Sequence, residues 1–534
     1  MPELLRPGRP RAEKLGDPHL RRRSREAILR YSRFRICATW AALLVWTIEG
    51  AEQKPIAPSP LSVSGPSYTR PTNASHQWLS IPIEISGLPA QAEFLPVRCQ
   101  VDFTAWLRGS NVPGAVDERS LRLFRVTPRG QEEIACQFRA ADQPRPKIRR
   151  TLPDTPPNVS YLGEYAAGET PGEIKAAGEL SWVVQKSING GASYRLEFGV
   201  PRNGKLIQVP FAPQNLRAFD AEGRGTSVRW FPRMQMHPQW PFEGVVHISE
   251  GKAPITTYHL GPPLASLAAS NPNIRRPFFY PVNGLDGISL TEFGKPHDPT
   301  GSHAHHYSLW IAHASVNGQD FWSERGGIIA HEQLELMEDG PIFCRLVQKT
   351  RWVNQGQELL RERRSFTVYQ SGDDFRLIDV ELSLTPAGSN PVTFGKTSFG
   401  FLAARVAQSM TVFDGAGEIR NANGDLNEQR AHLKRAFWMD QSGPVSQGRW
   451  GGIAMFDHPD NPNFPTGWHC RNDGWAGAAF NMEAPYTLEP GATLRLRYRI
   501  LLHGQDAMRG GVAQRYEEYR ARPVVQFGKV KLEK

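Results

Sequence analysis

Ile81-Pro82-Ile83-Glu84-Ile85 and Tyr194-Arg195-Leu196-Glu197-Phe198 decide the fold class, because apolar and polar residues alternate along both. A side-chain period of two gives an extended chain one apolar and one polar face, the mark of a half-buried antiparallel strand. Leu121-Arg122-Leu123-Phe124-Arg125-Val126 continues the theme, and Arg345–Val353, Arg363–Tyr369, Phe375–Leu384 and Thr493–Leu502 carry it through the second half of the chain. Shorter runs fall at Lys205–Phe211, Thr226–Phe231, Val245–Ser249 and Ile255–Leu260. With 49 Gly and 44 Pro as turn formers, the chain reads as all-β.

At 534 residues, two or three domains are expected, and 40% hydrophobic residues exclude a disordered chain. The strand pattern divides into a small β-sandwich-like domain at 77–200, a connecting β-segment at 201–270 and a larger β-sandwich at 271–508. Residues 143–157 form a Pro-rich loop, and the tail 509–534 begins with a short helix. No repeat of 20–50 residues is visible.

The net charge of +10 is uneven: residues 1–35 hold eleven Lys/Arg against four Asp/Glu, leaving a mild excess elsewhere. Without a basic stripe interleaved with aromatics, nucleic acid is not an expected partner. Arg21, Arg22, Arg23, Arg25, Arg30, Arg33 and Arg35 precede the uncharged run Ile36–Ile48, the layout of a secretory signal. That run is shorter than the ~20 residues of a membrane span. Residues 1–51 therefore read as a basic n-region and signal peptide, with an uncleaved anchor as the alternative, and 52–76 as a Pro/Ser-rich linker. The protein is expected in the periplasm or outside the cell, with no membrane contact beyond the export signal. Cys99, Cys136, Cys344 and Cys470 are too widely spaced for CxxC motifs; the pairs Cys99–Cys136 and Cys344–Cys470, or buried thiols, are both open.

Six of the fifteen histidines lie between 297 and 331. In Gly301-Ser302-His303-Ala304-His305-His306-Tyr307-Ser308-Leu309-Trp310, an extended backbone puts His303 and His305 on one face and His306 on the other. Imidazoles so spaced can move protons near neutral pH, orient a substrate or ligate a metal. Trp310, Phe321, Trp322, Trp352, Trp468 and Trp475 interleave with the polar clusters. Aromatic faces stack on the C–H faces of pyranose rings, while His, Asp, Asn and Arg bind hydroxyls. A second cluster, Phe456-Asp457-His458-Pro459-Asp460-Asn461-Pro462-Asn463 followed by Trp468-His469-Cys470-Arg471, reads as a loop that binds a ligand or in which Asp457 caps backbone amides. Leu359–Arg364 reads as a solvated strand face with Arg–Glu pairs. There is no phosphate-binding Gly loop, GxSxG elbow or HExxH helix, so nucleotide and serine-hydrolase chemistry lose support.

The segments HAHHYSLWIAHASVNGQDFWSE (303–324), Gly327-Ile328-Ile329-Ala330-His331, FGKTSFGFLAARVA (394–407), Ser442-Gly443-Pro444 and GIAMFDHPDNPNFPTGWHCR (452–471) together resemble a bacterial domain family of unknown function. It is common in planctomycetes and often carries the label methane oxygenase PmoA; the resemblance covers about 275–505. The label conflicts with the sequence, since that membrane subunit has several membrane-spanning helices and no apolar stretch after the leader approaches the necessary length. The resemblance implies a galactose-mutarotase-like β-supersandwich, preceded by a small domain like that of rhamnogalacturonan-lyase-type proteins. It carries the family pattern onto His303, His305, His306, Trp310, His313, Asn317, Phe321, Trp322, His331, Arg405, Asp457, His458, Pro459, Trp468 and His469. Where relatives read close to FGDTKEG, this chain has Phe394-Gly395-Lys396-Thr397-Ser398-Phe399-Gly400.

The resulting expectation is an exported carbohydrate-active protein, of glycoside hydrolase, lyase or epimerase type. His303, His305, His306, His331 and Arg405 would be catalytic, with His305 or His306 as the acid–base group. Trp310, Asn317, Trp322, Asp457, His458, Trp468 and His469 would bind a carbohydrate substrate. No cofactor is implied; a divalent metal, if used, would sit on His303, His305 and His331. The alternatives are a non-catalytic glycan-binding or scaffold protein, favoured by the altered 396–399 segment, and a His-ligated metalloenzyme.

Overall fold

The computed structural model describes residues 76–533 apart from 142–176, 203–233, 239–243, 268–271, 295–302 and a few single positions. The described residues lie within one compact unit, Gly65–Lys534. The leader, the linker, the Pro-rich 143–157 loop and the runs at 205–211 and 226–231 fall outside the described residues.

The strand His76–Ser86 buries Ile81, Ile83 and Ile85 and turns Pro82 and Glu84 away from the core, as the alternation requires. It pairs antiparallel with Ala192–Pro201 from Ile85↔Ala192 to His76↔Pro201. Together with Asp117–Thr127 and Gly130–Ile134 these strands form one sheet, and a three-stranded sheet of Leu95–Asp102, Ala177–Val184 and Gln137–Ala140 shares its core. Trp182, Phe103, Phe138 and Phe198 fill that core. The small N-terminal β-sandwich of the expected fold class is therefore present.

Its sheet is completed from the far end of the chain. After the helix Val512–Arg520, Val524–Phe527 and Lys531–Leu532 both pair with His76–Ser86. Pro82 falls in the gap between these two short strands, so its missing N–H leaves no ladder partner unserved. Its carbonyl accepts from Gly528 at 2.9 Å, and a Cβ at Gly528 would stand only 2.6 Å from the Pro82 ring. The tail at 509–534 is thus helix and sheet, in contact with both domains.

The larger domain consists of a nine-stranded and an eight-stranded antiparallel sheet packed over one apolar core, the expected supersandwich. The long runs appear as Phe343–Asn354, Gln357–Tyr369, Phe375–Pro386 and Leu494–Gly504, neighbours in the eight-stranded sheet. The structure moves one boundary. Val245–Glu250 and Ala253–His259 belong to the nine-stranded sheet through His259↔Phe278, so the Ala/Ser/Asn/Pro-rich stretch before 276 is a connection inside this domain. Leu359–Arg364 is also not a purely solvated face. Arg361 and Arg363 point to solvent, but Glu362 and Arg364 are buried as a pair, and Glu362 accepts from Thr350 and the Trp352 indole at 2.8 Å each. Alternation sends every second charge inward, where the pair is tolerated because its polar atoms are hydrogen-bonded. No disulfide joins Cys99, Cys136, Cys344 and Cys470. Among the described residues, no helix is long and apolar enough to cross a membrane.

Candidate functional site

Four adjacent strands of the nine-stranded sheet, Leu309–His313, Gly400–Arg405, Trp475–Ala479 and Gly467–Arg471, are registered so that Trp310, Ala403, Gly477 and His469 stand in one row. The flanking row, Leu309, Ala404, Ala476 and Cys470, turns into the core between the sheets. On the other face Trp310, Ala403 and Trp475 join Phe278, Tyr307 and Trp322 in a separate apolar cluster. The small residues in the row make space: a Cβ at Gly477 would lie 3.2 Å from the Trp475 ring. Trp322 packs 5.4 Å from both Trp310 and Trp475, and Phe399 stacks on Trp475 at 5.9 Å. His469 lies 4.1 Å from Trp475, and Phe399 is 39% exposed, so this aromatic floor reaches solvent at that end. The indole N–H groups of Trp310 and Trp322 are buried and find no hydrogen-bond partner among the described residues.

The histidines enter from the segment before Trp310. The rings of His305 and His306 are 4.4 Å apart, His303 and His306 5.1 Å, and His306 stacks on Trp310 at 5.4 Å. Arg405, fully buried, donates from Nη1 to Nδ1 of His306 at 3.0 Å and from Nη2 to the Asp473 carbonyl at 2.9 Å. Because a guanidinium can only donate, His306 must carry its proton on Nε2. Asp473 brings a carboxylate to the same place: Oδ2 lies 3.4 Å from His303 Nε2 and 3.8 Å from Arg405 Nη1. Beneath the cluster, buried Arg276 donates to the carbonyls of His305 and Ser323 and lies over the Tyr307 ring, tying the two loops together.

Burial and neighbouring cations keep most of these imidazoles neutral. Burial, then Arg276 and His303, lowers His305 to about 4. Burial, His305 and Arg405 hold His306 well below its ordinary value. His469 falls to about 3 through burial, His432 and Arg471. At neutral pH these three therefore donate and accept hydrogen bonds as neutral rings.

Several expected site residues lie elsewhere. His331 stands on Ile328–Glu338, where its Nδ1 meets the Gln348 amide at 2.8 Å, so His303, His305 and His331 are not gathered as a metal set. Among the described residues no group of three His, Cys, Asp or Glu side chains is arranged to hold a metal. Asp457 is fully buried and accepts from Asn461 Nδ2 and Thr466 N at 2.7 Å each, the turn-capping alternative. His458 packs on Tyr519, and Trp468 points into the core with its N–H on the Ala436 carbonyl. Asn317 occupies an exposed turn and receives the Thr393 N–H. His469 alone of the second cluster reaches the floor, because its parity on the strand is opposite to that of Trp468. Ser398 and Phe399 line the site directly: Ser398 Oγ is 3.0 Å from His469 Nδ1 and the Phe399 ring 4.8 Å from that imidazole. Asp473 was not anticipated; the hairpin dipeptide Asp473-Gly474 just after His469 was its only local signal.

Fold and site together define an all-β protein with a histidine- and tryptophan-rich face on the larger of its two sandwiches. The chain matches, over residues 245–517, the Family of unknown function (DUF6807), and belongs to it. No curated protein matches the chain. Among solved structures it is similar to a glycosyl hydrolase family 38 protein from Enterococcus faecalis (9% identity, TM-score 0.35, covering 84% of this chain and 47% of the other). It is also similar to the heparan sulfate lyase HepC mutant from Pedobacter heparinus (10% identity, TM-score 0.27, 56% and 42%). A third is a GalM/aldose epimerase homologue from C. elegans (9% identity, TM-score 0.22, 51% and 99%). The chain spans less than half the length of the first two. Likenesses this distant carry no argument about activity.

Proposed function

We propose that the protein is an exported carbohydrate-active enzyme that cleaves, by hydrolysis or elimination, or isomerises a sugar on the face of the nine-stranded sheet. The observation that carries this reading is the exposed Phe399 ring, backed by the buried Trp475 and Trp322, beside His303, His306, Arg405 and Asp473. Such a floor suits the apolar face of a pyranose, and the flanking polar groups suit its hydroxyls. Non-catalytic glycan binding is the second reading, favoured by Ser398 and Phe399 standing in the site, where the resemblance implies charged residues.

The test is a thermal-shift screen of the purified protein with plant and algal oligosaccharides, coupled to detection of new reducing ends, unsaturated products or epimers. Stabilisation with product supports the enzyme, and stabilisation without product supports the binding protein. No stabilisation by any glycan overturns both.

A further inference from the structure

The site contains two candidate proton carriers of different character. His305 and His306 are held among aromatic rings and cations, and the Nδ1 of His306 is taken by Arg405. His303 differs: its side chain is 28% exposed and a carboxylate stands at its Nε2. That carboxylate, Asp473, is itself fixed. It occupies the turn between Gly467–Arg471 and Trp475–Ala479, and its carbonyl receives Arg405 Nη2. Its Oδ1 is buried with no hydrogen-bond partner among the described residues, while Oδ2 faces His303 and Arg405.

Resting on the carbohydrate reading, we propose that Asp473 is the positioning residue for His303 and that this pair, not His305 or His306, moves the proton in the reaction. Asp473 holds the Nε2–H of His303, fixing the ring and its tautomer; the imidazole takes a proton at Nδ1 and returns it from the same atom. A carboxylate in that position orients the ring, the logic of the His–Asp arm of hydrolase triads. Arg405 keeps the carboxylate aimed and His306 neutral. The long separation of 3.4 Å is compatible with this role, since catalytic hydrogen bonds often tighten only on substrate binding.

The experiment compares wild type, Asp473→Asn, Asp473→Glu, His303→Gln and His305→Gln with the plant and algal oligosaccharide panel. Melting temperature, glycan-induced shift and turnover are all measured. Asp473→Asn and His303→Gln are expected to keep their melting temperature and glycan shift but lose about 100-fold or more in kcat with little change in KM. Asp473→Glu should recover part of the rate, which a merely structural aspartate would not predict. Asp473→Asn within about twofold of wild type, or a loss confined to His305→Gln, overturns the assignment while leaving the carbohydrate reading intact. A wild type that neither binds nor converts any glycan overturns both.

Discussion

At the scale of single residues, the parity of a position on its strand decides what its side chain can do. His469 and Trp468 are neighbours, yet one lies against Trp475 and the other is sealed in the core. Sequence proximity placed both in one site because side-chain direction depends on register, which the local text does not state. Asp457 shows the same point from the opposite side. It looks functional in a His/Pro/Asn loop, but both oxygens are committed to a turn. Replacing Asp457 by Asn converts one acceptor into a donor facing another donor, and should cost about 1–3 kcal/mol in urea unfolding. Phe399 offers a site-level test. In Phe399→Glu a carboxylate would stand beside His469, whose value is about 3, and should raise it by roughly a unit or more, read by side-chain NMR titration. An unmoved His469 would mean that residue 399 does not govern this end of the site.

At the scale of elements, the long alternating strands and the short runs Val245–Ser249 and Ile255–Leu260 are legible, while the shortest strands are not. Gln357–Tyr369 and Leu494–Gly504 carry enough repeats for the period to stand out. Val524–Phe527 and Lys531–Leu532 are too short to declare themselves and owe their strand character to a partner distant in sequence. The Asp473 turn was equally hard to see, because a hairpin signal reports a bend and not what the bend delivers. Phe527 packs 5.1 Å from Trp106 and is half-buried. Phe527→Ala should therefore destabilise the protein by about 1–2 kcal/mol, less than a fully buried Phe, and should raise protease sensitivity near residue 76. Unchanged unfolding would show that the added strand contributes nothing to the sheet.

At the scale of the whole molecule, its histidines set how stability responds to acid. His305, His313 and His331 are each lowered to about 4 and His469 to about 3, all mainly by burial. Their folded forms stay neutral while the unfolded chain takes up protons below about pH 6.5, so stability should fall as pH drops from there toward 4. Asp457 opposes this: burial raises it to about 7, so the folded state keeps a proton that the unfolded carboxylate has lost, a contribution that grows as pH falls from about 7 toward 4. His503 opposes it too. Burial works against its charge, but Asp440 at 2.7 Å raises it, so its contribution is full below about pH 6.5 and fades as pH rises through its folded value. Urea midpoints at pH ~7, ~5.5 and ~4.5 should decline in that order; a flat series would contradict neutral burial of these rings.

The return of Val524–Phe527 and Lys531–Leu532 to the strand His76–Ser86 also has a temporal meaning. A chain made from its N-terminus exposes the His76–Ser86 edge throughout synthesis of the supersandwich, since the strands that cover it come later. An uncovered edge invites pairing with other chains. Closure of the first sheet thus waits for completion of the second, and a translation product stopped before residue 524 would display an open, adhesive rim that quality-control proteases and chaperones can recognise.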